Sequence, residues 1–375
     1  MPHTQGVTEF FRGRVGKPYG PARLSSGSGV VLGHAVSPFV AAYPWVDGVG
    51  FGTKHANPAT LPGTLVAAVA FTPSGDTVFL GFQAAPFCNA YPFDRTTGFG
   101  TKYANPGTAI NTTVNGAAVR SLASAPTHHV ALANVNNPPN QNVYQFGKTG
   151  TGWSTRFANP ATAPGGDCRG VDFTLDGLHI AYSSTLSPFV TAYPWSNAGY
   201  GVKYANPAVL PVANSPGVRF SKALPTGGAI IISQLNNTEP SVAWSFSAGF
   251  GAKFAAPLLP PGWGAITGDG GIGVTRQGLS VIIGHSFNGT FGGYTGWNWT
   301  NSGGFGTRYA TISPVPAGLG RNPSFNESGT AFFGALSPSP FIMAKRFTSN
   351  VGFGTSYSNP AVLPPSTGHS IAIAS

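Results

Sequence analysis

Apolar and polar positions along this chain alternate in short bursts separated by turn residues, a strand pattern with no helix-length amphipathic stretch. Residues 59 to 106 show it most clearly: an apolar run from Leu65 to Thr72, the turn Pro73-Ser74-Gly75, then runs from Thr77 to Phe82 and Phe87 to Phe93, and last the phrase GFGTKYANP. The same order returns in residues 170 to 207, with Leu175-Asp176-Gly177 as the turn and Ser187 to Trp195 as the third run. Four short antiparallel strands per unit are predicted.

The phrase itself sets the number of units. It recurs as GFGTKHANP, GFGTKYANP, GWSTRFANP, GYGVKYANP, GFGAKFAAP, GFGTRYATI and GFGTSYSNP, beginning at residues 50, 98, 152, 199, 249, 304 and 352. Its basic position falls at Lys54, Lys102, Arg156, Lys203, Lys253 and Arg308, with Ser356 in the last copy, so the spacing stays between 47 and 55 residues. Seven four-stranded units at that period predict an all-β fold, a seven-bladed β-propeller of antiparallel blades. The chain enters its first unit at the second strand, since Ser25 to Gly33 align with Pro73 to Gly81, and Ser370 to Ser375 alternate like the missing first strand. The C-terminal strand is therefore expected to complete the first blade and close the ring, which removes open sheet edges. Residues 24–375 form the propeller in this reading, and residues 1–23 an N-terminal arm.

Within the phrase, Phe99 and Tyr103, and Tyr200 and Tyr204, stand at even spacing, which on a continuous strand puts each pair on one face, with Lys102 and Lys203 on the other. The third run carries SPFVAAYPW at 37 to 45 and SPFVTAYPW at 187 to 195. Its prolines are expected near the blade periphery or at a bulge, where a ladder donor is dispensable.

Composition supports the fold and narrows the chemistry. Gly (53) and Pro (34) are abundant, yet 41% of residues are hydrophobic and 12% aromatic, which excludes a disordered chain. Only 8% are charged, which argues against helices laced with surface ion pairs. The net charge of +10 arises from scarce acids (10) more than from abundant bases (20), and the one adjacent basic pair is Lys345-Arg346, so nucleic acid is not an expected partner. The ten acids are dispersed, leaving little for paired-carboxylate catalysis or a carboxylate metal cage. No catalytic residue, metal site or cofactor is expected. Cys88 and Cys168 read as small buried hydrophobes. His128 and His129 would point to opposite faces of a strand, and the other histidines lie in different blades. Asp76, Asp172 and Asp176 lie in or next to the turn after a unit's first strand, where Asp usually bonds its own backbone. GDGGIG at 268 to 273 reads as a turn, since it lacks the ending of a phosphate loop. The N-terminal segment has no apolar run of secretory type, and the longest apolar run, Leu65 to Phe71, is far too short to span a membrane, so membrane association is not expected.

Two surfaces remain as binding candidates. One is the basic ring of Lys54, Lys102, Arg156, Lys203, Lys253 and Arg308, readable either as a multivalent anion-facing rim or as edge protection with methylene stems over aromatic neighbours. The other is the arm, where Phe10, Phe11, Arg12, Arg14 and Lys17 could dock the protein on a partner.

The apolar strand, the Pro-Ser-Gly turn, the SPFVxAYPW run and the GFGTKYANP phrase together resemble the WD40-like propeller repeats of tailed bacteriophages and related environmental viruses, over residues 24 to 375 and without the Gly-His and Trp-Asp signatures of strict WD40 proteins. That resemblance implies a non-enzymatic virion structural, decoration or attachment protein, assembled with capsid, neck or tail proteins, made in the host cytoplasm and located in the virion. A lectin-like propeller binding host-surface glycan is the alternative.

Overall fold

The computed structural model describes residues 27–121, 125–135, 140–221, 228–235, 239–259, 270–285, 293–316 and 318–374. The regular elements among them are all strands, ordered into seven four-stranded antiparallel sheets. From the channel outward, blade 2 consists of Val66–Phe71, Thr77–Phe82, Cys88–Asp94 and Gly98–Phe99. The inner strands of blades 3 to 7 are Val114–Ser121, Cys168–Phe173, Gly217–Phe220, Ile272–Val274 and Gly320–Phe325. Blade 1 takes its inner strand from the other end of the chain. Gly368–Ala374 pairs antiparallel with Ser28–His34, running from Gly29↔Ala374 to His34↔Gly368. The ring closes as the alignment of the two termini requires.

The core lies in seven seams, each between neighbouring blades. The recurring phrase is explained there. Its aromatic position leaves its own blade and packs on a third-strand aromatic of the next, with ring centroids 5.1 Å apart for Tyr103 and Phe146, 5.0 Å for Phe157 and Trp195, and 4.7 Å for Tyr357 and Trp45. His55 on Phe93, Tyr204 on Phe246, Phe254 on Trp299 and Tyr309 on Phe347 repeat the contact. Each staple also covers the first glycine of the next copy of the phrase. Gly98 has φ +87° and a Cβ there would lie 2.8 Å from His55, so both backbone and space demand glycine. Gly352, at φ +103° against Tyr309, is the same case in the last blade.

This arrangement corrects the expectation that Phe99 and Tyr103 share a face. The outermost strand of blade 2 is only Gly98–Phe99, and Gly100 N–H already returns to Pro92 O at 2.8 Å. Alternation is therefore lost before Tyr103. Phe99 packs in the seam toward blade 1 and Tyr103 in the seam toward blade 3, and Tyr200 and Tyr204 divide in the same way. The third-strand prolines behave as expected. Trp195 N–H bonds inward to Leu178 O, so Pro194 turns its missing donor outward, toward the two-residue strand Gly199–Tyr200.

Candidate functional site

The inner strands meet around a central cavity of about 580 Å³, within the range of small-molecule sites. What lines it is set by a repeated irregularity. Pairing of the first two strands slips by one residue between Val66 and Ala68, Val114 and Gly116, Cys168 and Gly170, and Gly368 and Ser370, and between Arg321 and Ser324 in blade 7. A bulge re-aims the extra side chain. The extra residues are Ala67, Asn115, Arg169 and His369, with Asn322 and Pro323 in blade 7, and all six line the cavity. Gly116 and Gly170, which follow two of them, stand against neighbouring backbone with no room for a Cβ.

At this level charge is concentrated on two opposed walls. Blade 4 contributes Arg169; in a ring of seven it faces the junction of blades 7 and 1, where His369 lines the cavity and Arg321, which does not line it, is bonded to His369. Arg321 Nη1 lies 2.5 Å from His369 Nδ1. A guanidinium only donates, so Nδ1 accepts and the ring proton resides on Nε2, making that atom a donor. Asn322 Nδ2 donates to His369 O at 2.8 Å and holds the strand end. Asn322 itself sits at φ +36°, a left-handed conformation that asparagine tolerates.

Deeper in the channel Asp172 and Arg219 stand on neighbouring inner strands. Asp172 Oδ2 accepts the Phe220 N–H of the next blade at 2.9 Å, and Arg219 Nη1 donates to Val218 O at 3.0 Å. Arg120 also lines the cavity, and at its far rim Arg276 pairs with Glu327.

This geometry overturns several expectations. Asp172, just before the turn, does not bond its own backbone: it lies on the inner strand of blade 4 and ties that blade to the next. Asp76 and Asp176 do occupy the turns, where Thr72 and Thr174 hydroxyls donate to them. Part of the GDGGIG stretch is no turn either, since Ile272–Val274 is the inner strand of blade 6 and Gly271 gives way to Asn322, which a Cβ would strike. The acids are also less dispersed than their sequence positions suggest, because folding brings Asp172 and Glu327 to one cavity. His128 and His129 do point apart, toward Ser121 and Trp195. Cys88 and Cys168 are buried, and burial pushes the Cys88 thiol up to about 12.

The basic ring is present but engaged locally. Lys54, Lys102, Arg156 and Lys203 each donate to the asparagine three residues on, Asn57, Asn105, Asn159 and Asn206, at 2.5 to 2.8 Å. Lys253 instead pairs with Glu239 at 2.7 Å, and Arg308 ends the outer strand of blade 6. The clip explains why Lys and Asn recur together in the phrase. Because the pairs are exposed, Asn105→Ala should cost no more than about 1 kcal/mol in urea unfolding. A loss above about 3 kcal/mol would show that the clip holds the blade edge. The arm residues Phe10, Phe11, Arg12, Arg14 and Lys17 lie outside the described residues.

No protein-family model matches the chain, and no curated protein matches it in sequence. Solved structures do match. A candidate 6-phosphogluconolactonase from Bacteroides uniformis aligns at TM-score 0.67 and 13% identity, covering 93% of this chain and all of that one. A second, from Bacteroides fragilis, aligns at 0.67 and 11%, covering 94% and 99%. The periplasmic gluconolactonase of Pseudomonas aeruginosa aligns at 0.62 and 12%, covering 93% and 99%. At such identities the likeness establishes the propeller and nothing finer. The viral WD40-like resemblance accordingly reduces to the seven-bladed ring. The expectation of a non-enzymatic virion or glycan-attachment protein is corrected by the same comparisons, in which three full-length matches bear lactonase names, two of them as candidates. Its physical premise, the absence of convergent polar groups, fails in the channel.

Proposed function

We propose that the central channel is the active site of a hydrolase that opens the ring ester of an anionic sugar lactone. The observation that carries this reading is the cavity, about 580 Å³ and lined by Arg120, Arg169, Arg219, Asp172 and His369. The similarity of the fold to a gluconolactonase and to a candidate 6-phosphogluconolactonase supports it. Arginines on the channel wall attract and orient an anionic substrate. Asp172, held through Oδ2 by the Phe220 amide, accepts a proton from water as the water oxygen bonds to the lactone carbonyl carbon. Arg219, on the inner strand next to that of Asp172, donates to the carbonyl oxygen as negative charge develops on it. The bond from that carbon to the ring oxygen then breaks, the proton passes to the departing oxygen, and an open-chain hydroxy acid leaves.

The test is the rate of opening of 6-phosphoglucono-δ-lactone and glucono-δ-lactone above the uncatalysed background. Asp172→Asn should lower kcat by about 10²- to 10⁴-fold. Arg219→Gln should lower it by about 10²-fold, with both variants still folded by circular dichroism. A wild-type rate equal to background, or an undiminished rate in Asp172→Asn, would sink the reading.

A further inference from the structure

The two faces of the ring differ. Because successive strands run in opposite directions, the loops joining second to third strands, and those leading from the recurring phrase to the next inner strand, all lie on one face. Exposed aliphatic side chains gather there in two clusters. Val36 and Val362 stand at the junction of blades 7 and 1, where Val36 N–H donates to Ser366 Oγ at 3.0 Å. Leu186, Val209 and Val212 stand at the junction of blades 4 and 5, where Ser215 N–H reaches Ser184 O at 3.2 Å. The loops are fixed from beneath, since Tyr43 Oη donates to Val362 O at 2.9 Å and Trp244 Nε1 to Val209 O at 3.1 Å. Loops held in this way keep their aliphatic tips in water, a cost that a partner surface removes. In a ring of seven the two junctions lie across the channel from each other, so one partner meets both only if it is flat and as wide as the disc.

Charge divides in the same way. The turns of the opposite face carry Asp47, Asp76, Asp94, Asp176 and Glu327. On the apolar face the described acids are Asp167 and Glu239, and Glu239 is paired with Lys253. The basic ring borders this face. Lys54, Lys102, Arg156 and Lys203 donate to the asparagine that stands just before the proline opening each loop of the face, which brings the cations to its edge. A bond to a neutral amide leaves their positive charge in place. Two copies meeting through this face would bring their basic rings together, which opposes self-association. A flat, negatively charged surface with an apolar interior matches both the tips and the ring.

We propose that this face docks on an anionic lipid surface, its aliphatic tips entering the interfacial layer and its basic ring facing the headgroups. No helix among the described residues is long and apolar enough to cross a membrane, and tips that enter only the interfacial layer need none. The inference goes beyond the lactonase reading and stands or falls without any substrate. The experiment is flotation of the full chain with vesicles of phosphatidylcholine alone and with vesicles containing about 30% phosphatidylserine. Partition onto the anionic vesicles should be at least about tenfold higher and should fall steeply between about 0.1 and 0.5 M salt. Replacing Leu186→Ser, Val209→Ser and Val212→Ser together should lower it about tenfold. Lys54→Gln, Lys102→Gln and Lys203→Gln together should remove most of the preference for the anionic vesicles. Val49→Ser with Val351→Ser, exposed away from this face, should change partition less than about twofold. Equal partition onto the two kinds of vesicle would overturn the dock. Undiminished binding of the folded Leu186, Val209 and Val212 variant would also overturn it, because the contact would then lie elsewhere on the chain. A protein that ignores both vesicles but dimerises, and turns monomeric with the same aliphatic substitutions, would overturn it in favour of a second copy.

Discussion

Removing residues 368–375 should cost about 5 kcal/mol or more, most of a typical domain's stability of roughly 5 to 15 kcal/mol. The inner strand of blade 1 contributes to two seams at once, Ile371 toward blade 7 and Ala374 toward blade 2. Ser370 Oγ also accepts the Val69 N–H of blade 2 at 3.1 Å. Its loss would uncover Ser28–His34 as an unpaired edge and open the ring between blades 7 and 2. Urea unfolding of the truncated chain is the measurement. A midpoint equal to that of the full chain would mean that the propeller does not depend on this closure.

Acid should weaken the protein well before its carboxylates titrate. His34 and His129 are fully buried, and burial lowers both from 6.5 to about 4, with a smaller contribution from the positive charge of Lys54 on His34 and of Lys148 on His129. His129 is further fixed by accepting the Trp195 indole N–H at Nδ1, 2.9 Å away. Their folded values lie below the unfolded value, so the unfolded chain takes up protons first as pH falls. Stability is therefore complete above about pH 6.5 and is lost progressively toward pH 4. Two and a half units correspond to an upper limit of about 3 kcal/mol per histidine. The urea midpoint should fall steeply between pH 7 and pH 4.5, and His34→Leu should flatten that slope. A midpoint independent of pH across this window would contradict the assignment of both groups as buried and neutral.

The fold was legible in the sequence because it is built from what repeats. One staple, an aromatic residue over a glycine of the next blade, occurs at every seam, so Tyr103, Phe157 and Tyr357 write the same phrase into the chain. The turn at Pro73-Ser74-Gly75 and the closing strand were readable for the same reason. The faces of Phe99 and Tyr103 were not, since the outer strand is cut to two residues and period-two reasoning fails beyond it. The channel was illegible for the opposite reason. Side chains lining it come from a bulge in blades 1, 2, 3, 4 and 7, and those positions hold Ala67, Asn115, Arg169, His369 or Asn322 with no shared residue type. The candidate site lies where the copies differ, and a search for the common phrase passes over it. The available signal was a variable residue just before an inner-strand glycine, as in Asn115-Gly116 and Arg169-Gly170. Asp172 was expected to bond its own backbone because it stands next to the turn, whereas its partner is an amide of the next blade that sequence spacing does not show.

The account stands on the channel as the place where substrate binds. A crystal structure of the protein with 6-phosphogluconate would test this most directly. The expected result is the acid inside the central cavity, its carboxylate end toward Asp172 and Arg219. Ligand seated on the outer rim, at Lys54 or Lys102, with the channel unoccupied at saturating concentration, would contradict the account.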